Sequence, residues 1–349
     1  MTGDLNNLNA PTDIFLSANA SFIESSDNTP KNYRGSHQEY INAYAFAALK
    51  DDGSVITWGS SSTGGDSSSV ANELSSGVSQ IFSTEGAFAA LKDDGSVVTW
   101  GDNSYGGDSR SDAGELSSGV SQIFSTHSAF AALKDDGSIV LWGNENNSSH
   151  PEETSSGVSN IFSTRWDFAA LKDDGSVLTW GSNSGGDSSS VADELSSGVS
   201  NIFSTHSAFA ALKDNGSVVA WGYYSGDTSS ISDEISSGVS QIFSNYAAFA
   251  ALKDDGSVVT WGGSGGDSSS VADELSSGVS QIFSNYGAFA ALKNNGSVIT
   301  WGSYGGDSSS VANELSSGVS NIFSNYGAFA ALKDDGSVIT WGDSSYGGD

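Results

Sequence analysis

The chain has 349 residues, with 42 acidic and 12 basic side chains and a net charge of −30 at pH 7. Nucleic-acid recognition needs clustered Lys and Arg, whereas here the lysines stand singly and the arginines are Arg34, Arg110 and Arg165, so DNA and RNA are set aside as partners. The absence of cysteine excludes disulfides, thiolate metal sites and a cysteine nucleophile.

From the N-terminus, Met1-Thr2-Gly3-Asp4 lacks the basic and apolar regions of a secretory leader, and no apolar run approaches the length of a membrane span. Membrane insertion is not expected; the chain is either cytoplasmic or exported by a signal that lies elsewhere. Residues 1–34 differ in character from the rest and read as a tail or module remnant, and 35–349 as one repeat domain. Within the first stretch, Asn9-Ala10-Pro11-Thr12-Asp13-Ile14-Phe15-Leu16-Ser17 resembles the opening of cadherin-like modules of large bacterial surface proteins. That resemblance implies an extracellular or cell-surface setting within a larger protein; the other reading is a polar tail with one short strand. The end at Gly347-Gly348-Asp349, where a linker would begin, suits a piece of a longer array.

Trp-Gly pairs begin at Trp58, Trp100, Trp142, Trp180, Trp221, Trp261, Trp301 and Trp341, 38 to 42 residues apart. A period near forty with one aromatic mark per repeat points to propeller blades or solenoid turns. In the copy from Val78 to Trp100, three short apolar runs have strand length: Val78 to Ser83, Ala87 to Lys92 and Ser96 to Trp100. Asp93-Asp94-Gly95 between the second and third is a tight hairpin signal, because glycine reaches positive φ without steric cost and aspartate suits turn geometry. Phe88 and Leu91 alternate to opposite faces, as do Val97 and Trp100, so each sheet expects burial on both sides. No segment sustains a 3.6-residue apolar period, which disfavours a helical solenoid. The prediction is an all-β propeller of short antiparallel blades, eight units by count. The first is degenerate, Gly35 to Asn42 aligning with Gly318 to Asn325. The linkers, such as Gly106-Gly107-Asp108 followed by Glu115-Leu116-Ser117-Ser118-Gly119, either add a fourth strand or remain loop.

Ser-Gly-Val, Ala-Leu-Lys, the turn glycine and Val-x-x-Trp-Gly together resemble the regulator of chromosome condensation repeat superfamily, and within it propellers of the β-lactamase-inhibitor protein II type. The resemblance spans residues 35–349 and implies a seven-bladed ring, against the eight units counted. Val70-Ala71 stands where the inhibitor type has Val-Pro. In the inhibitor type the matching loops form the partner-binding face; the aromatics here differ in identity and order, so the resemblance implies a face and not a partner.

Chemistry-bearing residues are sparse. The histidines are His37, His127, His150 and His206, and two of them share one repeat position after Ser-Thr. No metal-ligand spacing of His-x-x-x-His type occurs, and no Gly-x-Ser-x-Gly elbow stands out. Asp-Asp-Gly invites calcium, yet Asp214-Asn215-Gly216 and Asn294-Asn295-Gly296 keep the glycine and drop carboxylates, as a turn requires and a cation site does not. No metal, no cofactor and no catalytic residue are therefore assigned.

Strand direction carries the functional expectation. If the first strand of a unit runs up, the turn after it and the loop after Trp-Gly share one end, while the Asp-Asp-Gly hairpins crowd the other. The hairpins barely vary. The shared end carries the unpatterned residues His127, Arg165, Trp166, Asp167, His206, Tyr223, Tyr224, Tyr246, Tyr286, Tyr304 and Tyr326, joined by Glu85, Tyr105 and Tyr346. Tyr and Trp dominate interface hot spots, so the expected role is a non-enzymatic platform binding a protein or glycan. The alternatives are a structural spacer and, third, a hydrolase working through carboxylates at this end.

Overall fold

The computed structural model describes residues 15–16, 41–144, 156–181, 185–224 and 226–349. Among them the chain forms eight antiparallel three-stranded sheets, the blades of a β-propeller, with strands in sequence order in each. Sheets 2 to 8 span residues 78–101, 120–143, 158–181, 199–222, 239–262, 279–302 and 319–342. In sheet 1, Ala45–Leu49 and Val55–Gly59 pair as expected, and the strand beside Ala45–Leu49 is Phe15–Leu16, with Phe15 opposite Leu49. The stretch aligned by sequence to a first strand, 35–42, lies outside the described residues up to position 40. Sheets 1 to 3 belong to one compact unit and sheets 4 to 8 to another.

Sheet 2 shows why this sequence makes this element. Its strands are Val78–Ser83, Ala87–Lys92 and Val97–Gly101. Phe88 lies opposite Trp100 across the second and third strands, ring centroids 5.3 Å apart and stacked, and each sheet repeats that pair. Cross-strand aromatic pairs stabilise a sheet beyond area burial, by about 0.5–1.5 kcal/mol. Between the first and second strands the register slips by one residue after Val78, a bulge that recurs in sheets 3 to 8.

Sheets packed between neighbours are buried on both faces, as the alternation predicted, whereas sheet 1 exposes Ile56 and Trp58 and sheet 8 exposes Phe323 and Val338. In the second unit, Phe243, Ala250, Leu252 and Val258 of sheet 6 pack on Val279, Ile282, Phe289 and Trp301 of sheet 7. The next pair, sheets 7 and 8, repeats the arrangement with Phe283, Leu292 and Val298 against Ile322, Phe329 and Trp341. Each fully buried Phe or Trp contributes about 2 kcal/mol or more, so the sheets depend on their neighbours.

The linkers resolve as loop. Ser68–Val70 and Glu73–Ser75 are single 3₁₀ turns, and Leu74 of Glu-Leu-Ser is buried beneath sheet 2. The lysine that recurs in each Ala-Leu-Lys holds this linker in place: Lys92 Nζ donates to the Glu73 carbonyl at 2.9 Å, and Lys293 does the same to Glu274.

The hairpin end couples sheet to sheet through backbone. Gly95 sits at φ +75° and its carbonyl accepts from the Val120 N–H at 3.0 Å. A Cβ there would meet the Gly119 nitrogen at 2.8 Å, so glycine is required twice over. Asp94 completes the turn by accepting from the Ser96 amide (2.9 Å) and hydroxyl (2.6 Å), which holds its carboxyl below the usual 3.8.

Candidate binding surface

One residue position ties the two variable loops together. Asn285, at the end of its first strand, accepts at Oδ1 from the Gly287 and Ala288 amides (3.0 and 2.7 Å). Its Nδ2 donates to the carbonyl of Tyr304, in the loop after Trp-Gly, at 2.5 Å. Asn245 links Ala247, Ala248 and Ser264 in the same way, and Asn325 links Gly327, Ala328 and Tyr346. Thr84 uses its hydroxyl for both tasks, accepting from Ala87 and donating to the Tyr105 carbonyl at 2.7 Å. The two loops therefore do share one end of each sheet. This Thr/Asn position was not among the residues singled out by sequence; its signal was a polar residue at one place in every unit.

The next residue in each unit forms a ladder. In the second unit the Arg165 N–H donates to the His206 carbonyl at 3.0 Å, His206 to Tyr246 at 2.9 Å, Tyr246 to Tyr286 at 3.1 Å and Tyr286 to Tyr326 at 3.2 Å. The side chains follow the backbone. His206 and Tyr246 lie 4.4 Å apart between ring centroids, Tyr246 and Tyr286 4.5 Å, and Tyr286 and Tyr326 4.5 Å. Tyr304 meets Tyr286 edge-on at 5.7 Å, and Tyr346 tilts over Tyr326 at 5.2 Å. Burial and the flanking Tyr246 and Tyr326 phenols push the Tyr286 hydroxyl above the usual phenol range.

Arg165, Trp166 and Asp167 stand apart from this pattern. The Arg165 guanidinium lies over the Trp166 ring at 4.9 Å, and Trp166 is 37% exposed. Asp167 is buried at a place where the other sheets carry alanine, among them Ala208 and Ala248, and its carboxylate accepts from the Thr164 hydroxyl at 2.9 Å. Tyr223 and Tyr224 pair edge to face at 4.1 Å and stand exposed. In the first unit, His127 pairs with the Glu85 carboxylate and tilts against Tyr105.

Among the described residues no three His, Asp or Glu side chains gather as metal ligands would, and no helix is long and apolar enough to cross a membrane. Asp94 and Asp267 each use Oδ1 to accept from Ser96 and Ser269 in their own turns. Their carboxyls sit below the ordinary value because of those bonds.

The sheets and their two-faced packing define an all-β repeat protein of the β-propeller class. Residues 78–106 match the family described as "Regulator of chromosome condensation (RCC1) repeat", and the other units carry similar residues at the same places. No match was found among curated proteins. Among solved structures the chain is similar to the ectodomain of the receptor kinase CR4 of Physcomitrella patens, at 14% identity over 74% of this chain and 70% of that one, with a TM-score of 0.39. It is also similar to the ectodomain of the Arabidopsis thaliana receptor kinase ACR4 (14% identity, 73% and 92% covered, TM-score 0.37). Prp20p of Saccharomyces cerevisiae is a third (15% identity, 75% and 70% covered, TM-score 0.36). At such TM-scores the fold rests on strand register and sheet packing, not on these likenesses.

Proposed function

We propose that the loop end of sheets 4 to 8 is a binding surface for a protein or glycan, and that the chain acts as a non-catalytic interaction or adhesion platform at a cell surface or outside the cell. The observation that carries this reading is the gathering of half-exposed and exposed aromatics, Trp166, Tyr223, Tyr224, Tyr304 and Tyr326, at one end of one unit, while the opposite end repeats a single hairpin. Aromatic anchors of this kind supply most of the energy of an interface. The N-terminal likeness to cadherin-like modules supports the extracellular setting; a cytoplasmic one is the alternative.

A structural spacer is the second reading, favoured by the fact that Tyr246 and Tyr286 turn their ring faces to each other. The test is a pull-down and a glycan array with the wild type beside a variant carrying Trp166→Ala, Tyr223→Ala and Tyr326→Ala. Loss of a captured partner with the fold intact supports the platform; Trp166→Ala alone is expected to weaken binding by about 2 kcal/mol or more. Equal behaviour of both proteins would leave the spacer.

A further inference from the structure

The aromatics of this end divide into two classes once their ring faces are followed. Tyr246 and Tyr286 are stacked between neighbours on both sides, so a ligand meets only their edges. Tyr223, Tyr224 and Tyr304 belong instead to the loops after Trp-Gly. They are 54%, 73% and 54% exposed and touch other rings only edge to face.

The backbone under two of them is unusual. Tyr224 has φ 60° and Tyr304 φ 50°, the left-handed region that an L residue with a bulky side chain rarely adopts, and they are the described non-glycine residues that do so. They occupy the same place in their loops, three residues after Trp221 and Trp301. Both loops are anchored alike, Tyr223 N–H to the Ser207 carbonyl and Ser303 N–H to the Gly287 carbonyl. Glycine would sit there without strain. Tyr304 also covers Gly287, yet both side chains stay more than half exposed on a backbone position that bulky residues rarely take, which marks them as ligand contacts.

Between these two sheets lies sheet 6, whose matching loop is Gly262-Gly263-Ser264-Gly265-Gly266. Gly262, Gly263 and Ser264 are exposed, so this loop offers backbone and one hydroxyl where its neighbours raise tyrosines. At Gly265 a Cβ would lie 2.5 Å from Asn245 Nδ2, which keeps the loop low. The nearby carboxylates Asp227, Asp267 and Asp307 each accept at Oδ1 from the Ser229, Ser269 and Ser309 amides, are exposed and stay ionised, which disfavours an acidic ligand. The surface is therefore exposed tyrosines on either side of a glycine loop, with ionised carboxylates beside it.

Building on the loop end as the binding surface, we infer that its ligand is a neutral glycan, laid across the glycine loop of sheet 6 with sugar rings against Tyr223 and Tyr224 on one side and Tyr304 on the other. An aromatic face is electronegative, and the C–H face of a pyranose is its complement. The sugar's hydroxyls match exposed backbone groups and Ser264. A protein partner needs a broad, closely fitted apolar patch, and tyrosines on either side of a glycine loop do not supply one. An acidic glycan needs a cation that this loop lacks.

The experiment is an array of neutral and acidic oligosaccharides probed with the wild type, Trp166→Ala and the double variant Tyr224→Gly, Tyr304→Gly. Glycine removes the side chains and relieves the backbone, so loss of binding cannot be blamed on unfolding when the melting temperature is no lower than that of the wild type. The expected result is binding to neutral oligosaccharides, weakened at least tenfold in the double variant. Binding to acidic glycans alone, or equal neutral-glycan binding by the double variant, overturns the inference. A protein partner lost in Trp166→Ala, with no neutral glycan bound by the wild type, overturns it and leaves the platform standing; no partner of either kind removes both.

Discussion

Tyr286 gives its carbonyl to the N–H of Tyr246 at 3.1 Å and stacks its ring on the same residue at 4.5 Å. Backbone and side chain thus join the same two sheets at one point, and Tyr326 repeats the contact on the other side.

Tyr286→Ala is therefore expected to destabilise the second unit. Two ring pairs are lost, each about 0.5–1.5 kcal/mol beyond area burial, so a loss of roughly 2 kcal/mol is expected in chemical denaturation. The same experiment on Tyr223→Ala, which touches only Tyr224 edge-on, is expected to show less. A comparable loss in both would mean the stack does not link the sheets.

The Tyr286 hydroxyl also sets a pH dependence. Its folded value lies above the usual 10.0, so the folded state keeps the proton after the unfolded chain has begun to lose it. The stabilisation is whole below about pH 10 and declines as pH rises from there toward the folded value. Tyr286→Phe is expected to flatten this alkaline decline, measured as melting temperature from pH 8 to 11. An unchanged slope counts against it.

The hairpin aspartates predict the opposite limb. Asp94 has its carboxyl lowered by the Ser96 hydroxyl and amide, so its stabilisation is present above pH 3.8 and is lost as pH falls through the lowered value. Asn215 makes the equivalent bonds to Ser217, at 2.9 Å to the amide and 2.7 Å to the hydroxyl, without a charge. Asp94→Asn is thus expected to flatten the acid decline, measured as melting temperature from pH 5 to 2, with only a small change at pH 7; Asp93→Asn, which lacks these bonds, is expected to change neither. Chelator is expected to leave the melting temperature unchanged. A chelator-induced drop restored by calcium and not by sodium would show that these turns hold a cation.

Asp167→Ala restores the residue that the other sheets carry at this place. Burying a carboxylate costs free energy that its hydrogen bonds only partly return, so the variant is expected to be more stable by about 1 kcal/mol. A destabilised variant would mean that Asp167 is needed to hold the Thr164 turn.

The fold was legible because its determinants are local. Asp93-Asp94-Gly95 specifies its hairpin within three residues, and Phe88 faces Trp100 through a register that the hairpin sets. The linkers were not legible, since a three-residue 3₁₀ turn such as Glu73–Ser75 has no period to read. The pairing of Phe15 with Leu49 joins residues distant in sequence, and no local pattern marks it. At the loop end, sequence placed Tyr246, Tyr286 and Tyr326 in equivalent positions. It did not reveal that neighbouring sheets approach closely enough for those rings to cover one another, nor that Tyr224 and Tyr304 stand on left-handed backbone. The first depends on the spacing between sheets and the second on local loop conformation, and composition encodes neither.

The ladder from Arg165 through His206, Tyr246, Tyr286 and Tyr326 is made of main-chain amides and carbonyls. Any residue except proline supplies those groups. The link between successive sheets is thus indifferent to which side chain stands on it, as the arginine, histidine and tyrosines on one ladder already illustrate. Substitution at this end keeps the backbone link even where it gives up a stacked ring, whereas at Gly95 a single methyl group would collide with the Gly119 backbone. Such a molecule can host grafted recognition on five adjacent positions whose backbone link is kept whatever side chain they carry, at the cost of the ring stacking where a tyrosine is replaced.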